Sequence, residues 1–222
     1  MPGAWTMSMA WMRMPGQSWP GAAATFLGMW VVMMLAMMLP SLVPVLWSRR
    51  APPGTGALRD AGLAAVAAAG YFCVWAVLGA CVYPPGLALA AAEMRWPSLS
   101  RWAPAAAGVA LLLAGGVQLT DWKARHLACC RSGPACGAPR VRGARDAWRE
   151  GLRLGAHCGL CCAGYMAALL VCGVMDLGVM TAVAAGITVE RLALRPRRVA
   201  RIAGAIILAA GALSILRALR AA

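Results

Sequence analysis

The sequence predicts an all-α protein: a polytopic transmembrane helix bundle of about six spans, with both termini outside. Three observations predict it. Mean hydropathy is +0.70, and 62% of the residues are apolar against 13% charged, where soluble domains carry about 25% charged residues. The chain divides into apolar runs near the ~20 residues that a helix needs to cross the hydrocarbon layer. Its 21 Lys and Arg fall between those runs and not along one face. The formal charge of +14 is therefore a topology signal, and a nucleic-acid partner is not expected.

Residues 1–21 form a Met-rich external segment with Met7, Met9, Met12 and Met14. They hold one arginine, Arg13, and no long apolar run ending in a small-residue cleavage site, so a removable leader is not expected. The bundle is expected over 22–216, followed by a short tail at 217–222. Its first span covers 22–47; Pro40 lacks the N–H that would bond the Ala36 carbonyl, which predicts a kink beside Met37. The second span is 61–83. Residues 84–101 are expected as a loop or re-entrant turn, because the apolar piece at 86–92 is too brief to span. The third span, 103–120, ends at Asp121-Trp122-Lys123, an aromatic and charged group suited to anchoring at the interface.

A basic cytoplasmic loop is expected over 121–153, where Gly133, Pro134, Gly137, Pro139 and Gly143 argue against a separate domain. The fourth span is 154–174, a short fifth is 175–190, and the sixth is 199–216, with Arg201 able to snorkel to the headgroups. Asp176 divides the fourth from the fifth, since an uncompensated carboxylate deep in lipid costs on the order of 3 kcal/mol. One long tilted helix is the alternative. With six spans, the loops after the first, third and fifth share a side and hold 16 of the 21 basic residues; that side should be cytoplasmic.

The sulfur residues carry the chemical signal. Cys158, Cys161 and Cys162 stand at i, i+3 and i+4 and share a helix face bordered by His157. His126, Cys129, Cys130 and Cys136 lie in the loop before that helix and are expected at the same membrane surface, so that ligands from two elements can converge. In the first span Met29, Met33 and Met37 form one line and Met34 and Met38 the adjacent line. Thioethers hold a monovalent soft ion without adding buried negative charge and thiolates bind it more strongly, which points to Cu(I) as the bound species. The candidate ligands are Cys158, Cys161, Cys162, His157, His126, Cys130, Met33, Met34, Met37 and Met38. Cysteine and methionine also serve as ordinary apolar packing residues, which is the competing explanation. Zinc would gain nothing from the methionines. Glu190 beside Arg191 is expected to be an interfacial ion pair, and Asp176 is a candidate for an ion pathway.

Three stretches resemble the bacterial membrane family DUF2182, whose members are described as predicted metal-binding integral membrane proteins and sometimes as copper chaperones. They are Met29-Trp30 through Met37-Met38-Leu39-Pro40; Gln118 through Thr120, Lys123, Leu127 and Cys130-Arg131; and Cys158 through Cys161-Cys162, Met166, Gly173, Met175 and Glu190. The resemblance implies metal binding and a multi-pass place in the bacterial inner membrane. The family pattern carries cysteine at the place of His126, asparagine at that of Asp176 and tryptophan at that of Ala163. The first difference keeps a ligand, and the second adds a charge in need of a partner.

The function expected from these features is Cu(I) binding with delivery or transport at the inner membrane. Its partners are the lipid bilayer and a membrane or periplasmic protein. Two rivals are an accessory or assembly subunit of a membrane complex, favoured by the abundant small residues, and a thiol redox protein using the Cys158/Cys161 pair. No nucleotide loop or catalytic triad is recognisable, so an enzyme is not expected.

Overall fold

The computed structural model describes residues 16–47, 57–132, 143–174 and 176–221. They form seven α-helices and, among the described residues, no strand. The helices are α1 (Trp19–Trp47), α2 (Ala57–Arg95), α3 (Pro97–Gln118), α4 (Asp121–Ser132), α5 (Ala144–Cys172), α6 (Leu177–Leu192) and α7 (Pro196–Ala221). The methionines at 7, 9, 12 and 14, and Cys136, lie outside the described residues.

Four helices, α1, α2, α5 and α7, are long and apolar enough to cross a membrane; α3 and α4, bent by 63° at a short break, make a fifth if counted as one span. The 16 residues of α6 reach about 24 Å at 1.5 Å per residue, short of the ~30 Å hydrocarbon core. Large apolar side chains such as Val32, Val77, Leu113, Leu160, Ile202 and Leu213 lie on the outside of the bundle, as a lipid-facing surface requires.

Where they are described, two expected loops are largely helical instead. The segment at 84–101 belongs to α2, which runs 39 residues through Pro84 and Pro85, and to the start of α3. Both prolines are exposed, and the Leu, Ala, Glu and Met that follow are strong helix formers that restart the ladder within a turn. The segment at 121–153 contains α4 and the beginning of α5, because Ala147, Glu150 and Gly151 are already buried in the bundle. The first helix continues past Pro40 and Pro44 to Trp47.

Interhelical contacts set the directions. Gly70 lies against Trp148 and Leu152, Gly155 against Tyr71 and Val74, and Gly159 against Leu78, so α2 and α5 run parallel. Their backbones touch at Gly151, where an added Cβ would collide with the Ala67 carbonyl. Conversely, α3 and α7 are antiparallel: Gly108 faces Gly211 and Gly115 faces Gly204. Such small-residue seams are how membrane helices approach closely. The first helix runs antiparallel to α2, with the Phe26 and Tyr83 rings 4.9 Å apart and Trp30 Nε1 donating to the Trp75 carbonyl at 2.9 Å.

The chain does turn at Asp176, and the single long helix is excluded. Gly173 has φ 120°, a conformation natural to glycine. The exposed Asp176 carboxylate accepts from the Gly178 and Val179 amides at 2.8 and 3.0 Å, so it serves as the N-cap of α6. From there α6 packs back along α5, with Gly186 against Tyr165 and its last turn against Cys158.

Candidate metal centre

Helical periodicity places Cys158, Cys161 and Cys162 on the inner face of α5, where all three are buried. Their Sγ atoms lie 3.9 Å (158 to 162) and 3.7 Å (161 to 162) apart. From α4, Cys130 brings a fourth buried thiol to 3.6 Å from Cys161. One turn along both helices the imidazoles of His126 and His157 meet, Nδ1 to Nδ1 at 3.1 Å, half-buried, with Trp122 4.6 Å from the His126 ring. His126 and Cys130 of the one group thus face His157 and Cys161 of the other across the α4/α5 contact as a two-rung ladder. Cys129 is half-buried on the adjoining face of α4.

The first helix supplies thioethers. Met33, Met34, Met37 and Met38 are all buried in the same core as the thiols, and Met38 Sδ is 3.9 Å from Cys158 Sγ. Met29 is only partly buried and packs against that core. Tyr71 of α2 completes the wall, its hydroxyl 2.9 Å from Cys158 Sγ.

A cation already stands among the sulfurs. The buried Arg191 of α6 places Nη2 2.7 Å from Cys158 Sγ and 3.6 Å from both Cys161 and Cys162, while Nη1 donates to Ser41 Oγ at 3.0 Å. Its Nε is buried without a partner. As the side chains stand, no group of three or more Cys, His, Asp or Glu among the described residues is arranged to hold a metal ion.

The expected Glu190–Arg191 pair does not form. Adjacent residues on a helix do not face each other, so the two need separate partners, and this rule was the signal in the sequence for both. Glu190 pairs instead with Lys123 at 2.7 Å, both almost fully buried. It also accepts from the Tyr165 hydroxyl at 2.8 Å. Lys123 donates further to Gln118 Oε1 and sits 4.7 Å above the Tyr165 ring. Lys123 is thus an interior ion-pair partner and not an interfacial anchor. Arg131 donates to the Glu190 and Arg191 carbonyls, tying the end of α4 to the end of α6.

A family model described as "PpoB2: Copper chaperone" matches residues 27–214. The chain belongs to this copper chaperone family. The match begins just before the methionine stripe and runs through every cysteine and both histidines to α7. No curated protein and no solved structure matches the chain. Within the copper chaperone family, then, the chemistry of this member has to be read from its own side chains. Soft sulfur predominates at the centre, and of the two carboxylates singled out in the sequence Glu190 is committed to Lys123 and Asp176 to a helix cap.

Proposed function

We propose that the protein binds Cu(I) as cargo among the sulfurs between α1, α4 and α5, and delivers or transports it at the bacterial inner membrane. The observation that carries this reading is a run of four buried thiols, Cys130, Cys161, Cys162 and Cys158, each 3.6 to 3.9 Å from the next, with the Met38 thioether alongside. Thiolate and thioether donors select Cu(I) over harder ions. Cys130, Cys158, Cys161 and Cys162 are the principal ligands in this proposal. His126 and His157 form the half-buried rung through which an ion reaches Cys130 and Cys161, and Met33, Met34, Met37 and Met38 line the other approach. The recipient or donor is a membrane or periplasmic protein.

The topology that goes with this function has six crossings, α6 being the short one, with both termini outside. Parallel α2 and α5 and antiparallel α3 and α7 support it, since each pair then enters the bilayer from the appropriate side.

Anaerobic metal analysis tests the ligand assignment. Purified wild-type protein should carry copper after Cu(I) loading and bind Ag(I), its redox-inert analogue. Cys161→Ser with Cys162→Ser should lower affinity well beyond the roughly 10- to 100-fold that loss of a supporting group alone produces. Undiminished binding in that double variant overturns the assignment.

A further inference from the structure

The four thiols pose a selectivity problem. Four sulfurs about 2.3 Å from a central zinc ion are separated by about 3.8 Å along each edge of the tetrahedron. Three of the six edges among Cys130, Cys158, Cys161 and Cys162, at 3.6, 3.7 and 3.9 Å, lie around that value. With a small rearrangement of its side chains such a set could close on a divalent ion, because zinc sites are commonly built from four cysteines.

We infer that Arg191 is the residue that denies this cluster to divalent, four-coordinate ions and keeps it for a two- or three-coordinate monovalent one. This rests on the assignment of the thiols as the Cu(I) site. The guanidinium Nη2 occupies the space in front of Cys158, Cys161 and Cys162 at once. Its N–H groups take up sulfur lone pairs that a tetrahedral ion would need. It also fixes a positive charge where a second, doubly charged ion would be desolvated beside it, and in a low-dielectric interior that repulsion is weakly screened.

Two features hold the guanidinium in place. Nη1 is hydrogen-bonded to Ser41 of α1, and the Arg191 backbone carbonyl accepts from Arg131 of α4. Cys130 meets the cluster through Cys161, while the guanidinium bonds to the other three thiols. The Cys130/Cys161 pair, next to the two imidazoles, is therefore the part of the cluster best placed for a low-coordinate ion. Lys123 and Glu190 neutralise each other and Arg131 is turned to the backbone carbonyls at the end of α6, so Arg191 is the cation that faces the thiols.

The test uses the full chain in detergent, comparing wild type, Arg191→Met and Ser41→Ala for binding of Ag(I) and Cd(II). The Cd(II)–thiolate absorption and protection of the cysteines from alkylation give the readout. Wild type should bind Ag(I) and show no four-thiolate Cd(II) signal. Arg191→Met should gain Cd(II) binding by more than about tenfold, on the scale that groups supporting a metal site exert; Ser41→Ala, which keeps the charge but frees one anchor, should gain less. A strong Cd(II) signal in wild type overturns the inference, and this arm holds even if Arg191→Met fails to fold. Folded variants that take up no more Cd(II) than wild type overturn it as well. Failure of all three proteins to bind Ag(I) refutes the copper assignment instead, while the Cd(II) comparison still decides the role of Arg191.

Discussion

At the residue scale, the interior owes much of its order to charges that sequence position does not reveal. Lys123 follows Asp121 and Trp122 at the end of an apolar run, where an interfacial anchor is the natural expectation. Its side chain instead turns inward to Glu190, 67 positions away. Removing one member of such a buried pair strands the other, at a cost of about 3–5 kcal/mol. Lys123→Met should therefore lower the thermal midpoint of the detergent-solubilised protein sharply. The double variant Lys123→Met with Glu190→Leu should recover most of the loss, because an apolar pair of similar volume tolerates the site. Equal damage from single and double variants would show that the residues act through packing alone. The cysteines and methionines were legible because helical spacing fixes which of them share a face. Arg191, Ser41 and Tyr71 were not, because each reaches the thiols from a different helix, and spacing along one helix carries no information about another.

At the element scale, the helices were legible wherever an apolar run was long, and their ends were not. Hydropathy stops at the charged residues 144 to 153, yet α5 starts at Ala144, because its first turns are seated by close backbone contact with α2 and not by apolar side chains. That contact makes Gly151 sensitive to size. Gly151→Val should prevent α2 and α5 from closing and yield little monodisperse protein by size-exclusion chromatography, whereas Gly62→Val, with open space at its Cβ, should leave the yield unchanged. The turn before α6 offers a gentler change. Asp176→Ala removes the cap and should cost about 1 kcal/mol, and Asp176→Asn, an equally good cap, should cost little. Amide exchange at Gly178 and Val179, faster in the first variant than in the second, checks this. The same geometry assigns Asp176 a structural role at the helix end in place of the ion pathway expected from its position.

For the whole molecule, the all-helical class and the family were within reach of the sequence, since composition and the sulfur-bearing segments carry both. The number of crossings was less so: α6 is shorter than a hydrocarbon thickness, and α3 and α4, bent by 63° at their break, form either a broken span or a re-entrant loop. A reporter active only outside the cytoplasm, fused to the C-terminus, should be active if α6 crosses, and inactive if five crossings leave that end within.

The guanidinium among the thiols comes from α6, whereas Cys130, Cys158, Cys161 and Cys162 all precede it in the chain. During synthesis the four sulfurs therefore leave the ribosome before the group that guards them. A nascent polypeptide that stalls ahead of Glu190 presents them bare, open to capture by whatever thiophilic ion is nearest. The 29 residues from Ala163 to Arg191 are thus the interval in which the thiols stand without their guanidinium.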